Sequence, residues 1–345
     1  MKFSIGINFE RRDPAEDMRA VEENALEFVL MAEDAGFEKI WVPEHHGIEM
    51  IAAPNPFVII ASWAARTKRI RLGTATIVAP YWHPLRLAGE AALADLMSHG
   101  RLELGIARGA FQYEFDRLAG GLPQDRGGEY VREIVPLVVK LWQGDCAHDG
   151  PLWSFPEVTS VPKPVQKPHP PIWIGARSPE TFGWAIENGY NIMTTPLQRP
   201  FSDIEFLARK LATAIAERNP AHKPRFMALR RGCVYESPGD WTRVVPVVME
   251  YAQKFQSLFH NKRGVIDGFP ERVRLEDMPP SPDLAPEAIR ENLMFGTPDE
   301  VVRKLKMYEA AGVDEFCLGA TFGLPHEMTK RSIELFRDEV MPHFH

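Results

Sequence analysis

Short β-branched or aliphatic runs alternate along this chain with amphipathic stretches of ten or more residues. A segment of period two buries one face of a strand and a segment of period 3.6 one face of a helix, so the alternation spells repeated βα units and a parallel sheet. The strand runs are Phe3–Phe9, Lys39–Val42, Ile70–Val78, Leu102–Ala107, Ile172–Gly175, Tyr190–Met193, Phe226–Val234 and Glu315–Leu318. Helical patterns fall at Val21–Ala35, Pro56–Thr67, Pro84–Met97, Glu129–Trp142, Pro179–Asn188, Asp203–Asn219, Trp241–Phe259, Asp299–Ala311 and His326–Val340. Eight strands in 345 residues predict an α/β fold, a (β/α)8 TIM barrel forming a single domain over residues 1–345. Two stretches exceed the minimal plan and are read as insertions. Residues 144–171 are rich in turn residues and proline, with a short Trp153–Phe155 segment. Residues 259–292, with Asn261, Lys262, Arg263, Pro279, Pro280 and Pro282, predict a long mobile loop after the seventh strand, over one mouth of the barrel.

A chain that is 25% charged and 45% hydrophobic is neither disordered nor collagenous nor a coiled coil. Its best apolar run, Ala52–Ala65, is broken by Pro54, Asn55, Pro56, Ser62 and Trp63, short of the roughly 20 residues a membrane span needs. The N-terminus enters a strand pattern at once and shows no leader pattern, so a cytoplasmic protein is expected. A net charge of −7 argues against nucleic acid as a partner. Cys146, Cys233 and Cys317 form no CxxC, so neither a disulfide framework nor a zinc site is expected, and the three are read as buried thiols.

Active sites of such barrels lie at the strand C-termini, which turns the strand list into a search list. Glu44-His45-His46 follows the second strand, where His45 is a general acid/base candidate. The alternative is a pair of structural histidines satisfying the backbone, and no third ligand is spaced for a metal. Arg108-Gly109 ends the fourth strand in a form suited to a phosphate, or to a surface ion pair with Glu114 or Asp116. In Ala176-Arg177-Ser178-Pro179-Glu180-Thr181, Ser178 caps a helix with Pro179 at its first position, offering free amides and the Ser178 and Thr181 hydroxyls to an anion beside Arg177. The small residues Gly73 to Ala75 admit a flat ring, and Phe9, Trp41, Trp82 and Phe111 suggest an aromatic mouth. Of Arg230 and Arg231, strand alternation turns only one inward, toward an anionic substrate group.

Taken together and in this order, these segments resemble the bacterial luciferase-like family of flavin-dependent monooxygenases. The resemblance spans Glu44-His45-His46, Leu72-Gly73-Thr74 through His83-Pro84-Leu85-Arg86, Gly100-Arg101 through Arg108-Gly109, Pro171–Thr181, Gly296-Thr297-Pro298-Asp299-Glu300, Ala311-Gly312-Val313-Asp314 and the closing Phe336 to Phe344. It implies a barrel that binds reduced FMN (FMNH2) from a separate flavin reductase and uses O2, through a C4a-peroxyflavin, to oxygenate a small organic substrate in a water-poor pocket. It further implies Arg108, Ser178 and Thr181 at the phosphate with Ala176 and Arg177 adjacent, a non-prolyl cis peptide at Ala75–Thr76 under the flavin ring, and His45 as the catalytic histidine. Phe9, Trp82, Phe111 and Arg230 are the expected substrate contacts, and Lys262, Arg263, Arg272 and Arg274 are candidate latches on the loop or plain solvated charges. A homodimer or higher homo-oligomer is expected, its apolar surface lying within Pro56–Met97. Ala107 stands where luciferases carry a cysteine near the flavin, so light emission is not implied. Two alternatives stay open: hydride transfer with the deazaflavin F420, and flavin binding without turnover.

Overall fold

A computed structural model describes residues 1–260, 264–277 and 281–344, apart from the side chains of His260 and Leu275. Eight parallel strands close into a barrel: Lys2–Gly6, Lys39–Val42, Arg71–Thr74, Leu102–Ala107, Ile172–Gly175, Asn191–Thr194, Phe226–Val234 and Glu315–Gly319, each hydrogen-bonded to its neighbours in chain order. The ring closes where Glu315–Gly319 pairs with Lys2–Gly6. The third strand run is shorter than its apolar pattern, because the backbone breaks at a cis Ala75–Thr76 peptide and resumes as Ile77–Val78.

Proline at the first helical position recurs at Pro56, Pro84, Pro179 and Pro298, where an N–H would have no intrahelical acceptor. Many of the 30 prolines thus start helices rather than break them. Asn55, His83 and Ser178 cap three of these helices through their side chains. Thr297 and Glu300 form a reciprocal capping box on the fourth.

Alternation along the strands sorts the core into two shells. Ile5, Ile40, Leu72, Leu104, Ile174, Ile192, Ala228 and Leu318 face outward and are buried beneath the helices. Inside the barrel, Trp41, Trp173, Met193, Met227 and Cys317 form a plug, with the two indoles edge to face at 5.5 Å. Beneath the plug, at the strand N-termini, Lys39 and Glu315 pair at 2.7 Å with neither side chain exposed. Above it the inward positions shrink to Gly6, Ala75, Ala107, Gly175 and Gly319. Close approach enforces this: a Cβ on Gly105 would lie 2.0 Å from the Thr74 carbonyl oxygen, and one on Gly175 would lie 2.8 Å from Ala107 Cβ.

The insertion at 144–171 contains an antiparallel hairpin, Cys146–Asp149 with Ser154–Val158. Cys146 is only half-buried there, unlike Cys233 and Cys317. In the second insertion the described part carries a two-residue hairpin, Val265–Ile266 with Phe269–Pro270, and a helix, Pro286–Asn292. The short strand Met294–Gly296 then pairs with Gly232–Val234. Sequence periodicity had not marked these elements, nor the helix Gln112–Leu118, because segments this short hold too few turns or alternations to register a period. Lys262, Arg263, Pro279 and Pro280 lie outside the described residues.

Candidate active site

The strand C-termini surround a mouth whose floor is the Gly/Ala layer and whose roof is a second apolar cluster. The long helix Trp241–His260 supplies Val244, Val248, Tyr251 and Leu258 to that cluster, which also holds Ile48, Phe111, Phe295 and Phe322.

His45 stands at this mouth in a fixed orientation. Its Nδ1 lies 3.1 Å from Glu114 Oε1, and the same oxygen accepts the His46 backbone N–H at 2.7 Å. The ring stacks on Phe111 at 5.0 Å and 26°. A carboxylate beside Nδ1 favours a proton on that nitrogen and leaves Nε2 free to exchange one with a bound ligand. Glu114 is therefore no surface partner of Arg108: it is 2% exposed and belongs to the histidine. Sequence reading considered it only as an ion-pair partner because 69 residues separate the two, and only the fold brings them together.

His46 turns the other way. Its Nε2 meets Glu44 Oε1 at 2.9 Å, and Glu44 also accepts the Val78 N–H at 2.6 Å and the Trp82 indole N–H at 2.9 Å. Glu44 thus ties the second strand's end to the loop after the cis peptide. Trp82, expected at the substrate, is committed to that carboxylate and packs on Phe57 in the outer shell.

The alternation that selects His45 moves two other expected contacts out of the mouth. Phe9 has the parity of Phe3, Ile5 and Ile7 and packs on Trp63, leaving Glu10 inward. Arg230 has the parity of Phe226 and Ala228: it is 1% exposed and donates to the Tyr308 hydroxyl and to the carbonyls of Leu197, Arg199 and Pro200. Its donors are consumed by the scaffold, and Arg231 is the inward arginine. Phe111 remains at the mouth, beneath Phe259 at 4.8 Å and Phe255 at 5.5 Å.

On the rim, Ser178 Oγ accepts the Thr181 N–H at 3.3 Å and lies 3.0 Å from the Thr181 hydroxyl. Arg177 beside them is 3.5 Å from Asp203, and the neighbouring Arg199, Arg230 and Arg108 guanidiniums help burial to lower its pKa. Arg177 and Arg199 both reach Asp203 at this capped helix N-terminus, and Arg108 adds further positive charge nearby, which is the electrostatic setting that favours an anion. Arg108 is exposed beside it, and Ala176 is buried beneath. Arg272 instead pairs with Glu250, and Arg274 with Glu276 and Asp277, so these two loop arginines are engaged locally. Among the described residues no group of three His, Cys, Asp or Glu side chains is placed to hold a metal, and no helix is long and apolar enough to cross a membrane.

Glu10 is the most perturbed carboxyl at the mouth. Burial raises it from 4.5 to about 7, against the lowering pull of the Gly323 amide, the Tyr251 hydroxyl and the Arg231 and Arg12 guanidiniums. A raised folded-state value means that the native protein holds this proton after the unfolded chain has lost it, so stability falls as pH climbs through that interval. Glu10→Gln should accordingly leave stability unchanged near pH 4 and raise it by ~1–2 kcal/mol at pH 8. Urea denaturation at the two pH values checks this, and a gain of the same size at both would contradict it.

Comparison with known proteins follows this geometry. A family model described as luciferase-like monooxygenase matches residues 1–315. The oxygenase component of the flavin-dependent trigonelline monooxygenase of Acinetobacter baylyi is 38% identical over 344 residues, covering 100% of this chain and 96% of the relative. Among solved structures, monooxygenase RslO1 from Streptomyces bottropensis superposes with a TM-score of 0.84 at 25% identity, covering 100% of both chains. The oxygenating constituent of 3,6-diketocamphane monooxygenase from Pseudomonas putida, in complex with FMN, gives 0.76 at 19% identity over 99% of this chain and 98% of that one. An F420-dependent secondary alcohol dehydrogenase gives 0.75 at 18% identity with the same coverage.

Proposed function

The chain belongs to the luciferase-like monooxygenase family, and from that premise we propose that it is the oxygenase component of a two-component monooxygenase that takes FMNH2 from a separate flavin reductase and oxygenates a small organic substrate. The observation that carries this reading is a surplus of positive charge on the rim at a capped helix N-terminus and, beside it, a floor of small residues, Gly6, Ala75, Ala107, Gly175 and Gly319, on which a flat ring can lie. The likeness to the trigonelline monooxygenase component supports the flavin and the separate reductase. Reduced FMN, when bound, passes two electrons to O2, one oxygen atom entering the substrate and the other leaving as water.

The protein's own part is to bind, orient, exclude water and move a proton. Arg108, Arg177, Ser178 and Thr181 would hold the phosphate, and Ala75 and Thr76 with Ala107 and Gly175 would bear the ring. Phe111, Phe255 and Phe259 close an apolar roof that keeps water from the reacting oxygen. His45, held by Glu114, offers Nε2 to give or receive the proton that accompanies oxygen transfer. A homodimer would use the exposed Val58, Leu93, Leu96 and Met97 on the second and third barrel helices.

Arg108→Gln should weaken FMNH2 binding by about 10- to 100-fold, the scale of a lost charge-assisted contact, while leaving reduced riboflavin, which lacks the phosphate, unchanged. Anaerobic fluorescence titration of both ligands reads the difference. The whole reading is tested by anaerobic titration of the purified protein with FMNH2 and with reduced F420, followed by air. Tight FMNH2 binding and reoxidation in at least two resolved phases is the expected result; preferential F420 binding without an oxygen-dependent phase would move the protein to hydride transfer. Bound FMNH2 that reoxidises at the rate of free flavin would leave a binding protein without turnover.

A further inference from the structure

One inward-facing arginine at the mouth has no hydrogen-bond acceptor and no ion pair among the described residues. Along Phe226–Val234, Met227 and Leu229 face the barrel interior, and Arg231 is the next residue in that row. On one side register sets Arg231 beside Gly319, which has no side chain, and on the other the pairing with Asn191–Thr194 ends at Ala228, before it reaches Arg231. Its guanidinium lies 4.5 Å from the Tyr251 ring centre and 5.1 Å from that of Phe255. Among the described residues it has no hydrogen-bond acceptor and no carboxylate within ion-pair distance, in contrast to Arg230 next to it, whose donors reach a hydroxyl and three carbonyls.

An arginine cannot shed its charge, and five N–H donors held largely away from water are costly unless an acceptor arrives. Glu10 faces it and attracts its charge without coming within ion-pair distance, its Oε2 taking the Gly323 N–H at 2.7 Å. A bound ligand at the mouth is placed to supply the acceptor that Arg231 lacks among the described residues. A carboxylate fits the planar guanidinium fork with two parallel hydrogen bonds. Beside it lies an aromatic surface on which a flat ring can pack: Phe111 meets Phe255 and Phe259 edge to face, Tyr251 lies 4.7 Å from Phe255, and His45 stacks on Phe111.

We propose that Arg231 anchors the carboxylate of an aromatic or heteroaromatic acid, whose ring packs against the cluster of Phe111, Tyr251, Phe255 and Phe259 on the side of His45. This assignment rests on the monooxygenase reading only in making that acid the molecule to be oxygenated. It names the charge of the substrate, which neither the family nor the flavin determines.

The test is calorimetric titration of the anaerobic, FMNH2-loaded protein with three probes: N-methylpyridinium-3-carboxylate, its carboxamide, and benzoate. The wild type is expected to bind at least one of the two carboxylates, and to bind it about tenfold or more tightly than the carboxamide. Arg231→Gln should bring carboxylate and carboxamide within about twofold of each other with FMNH2 affinity unchanged, and Arg231→Lys, which keeps the charge and loses the fork, should fall between. Should Arg231→Gln fail to fold by circular dichroism, the lysine variant carries the comparison, and an undiminished preference there counts against the anchor. Equal binding of carboxylate and carboxamide by the wild type, no binding of any probe at millimolar concentration, or a preference that survives Arg231→Gln would overturn the proposal. Failure of the monooxygenase reading appears separately, as absent FMNH2 binding; the probes are then titrated into the unloaded protein against the same outcomes.

Discussion

His45→Ala is expected to lower turnover by about 10²- to 10⁴-fold while changing FMNH2 affinity by less than about threefold, the signature of a lost proton-transfer group rather than a lost binding contact. The split follows from position. His45 is on the second strand's C-terminal side, its Nδ1 spent on Glu114 and its face on Phe111, whereas the rim anion site is built from residues after the fourth and fifth strands. Removing the imidazole takes nothing from Arg108, Arg177 or Ser178. Glu114→Gln should give a smaller loss, since a neutral amide can still accept from the His46 N–H and hold the ring in place. Stopped-flow reoxidation with saturating FMNH2 separates rate from affinity. Equal losses in both for His45→Ala would remove the histidine from the chemistry and leave it a structural residue.

The largest effect on stability is expected at the other end of the barrel. Lys39→Met should cost ~3–5 kcal/mol, because it leaves Glu315 deeply buried with one of its cations gone. Lys39 Nζ donates to Glu315 at 2.7 Å and to Glu38 at 2.9 Å, and Arg225 also reaches Glu315 and Glu38, each at 2.9 Å. Arg225 softens the loss without replacing Lys39, for its side chain is 37% exposed while that of Lys39 is fully buried. The paired change Lys39→Met with Glu315→Leu should recover most of the deficit, since the isolated charge goes with its partner. Urea midpoints at constant m-value measure both variants. A single variant within about 1 kcal/mol of wild type would mean that water or Arg225 solvates Glu315 far better than its burial implies.

Much of the site follows from chain-local signals. The period-two runs marked eight strands whose order around the barrel is their order in sequence, and their ends pointed to His45, Arg108 and Ser178. Two of the misplaced contacts differ from the inward residue by one position. Arg230 was preferred to Arg231, and Phe9 stood where Glu10 faces in, because a strand's two faces are equivalent until something fixes which one meets the helices. In both cases the inward row is set from lower in the strand, by Met227 and Leu229 in one and by the small Ser4 and Gly6 in the other. Trp82 was read from its aromatic character, which says nothing of the buried Glu44 that claims its N–H.

Periodicity, helix-starting prolines and the glycines at strand ends are properties of a few neighbouring residues, so the amino-acid sequence alone settled the barrel and its parallel order, and named the strand ends where the proposed site lies. Pairings across long loops belong to the tertiary structure. Glu114 reaches His45 across 69 residues, Tyr251 meets Arg231 from the helix after its strand, and Lys39 finds Glu315 across 276. Each depends on the closed ring bringing its ends together and on how side chains divide the small space at its mouth, and no local pattern encodes that division.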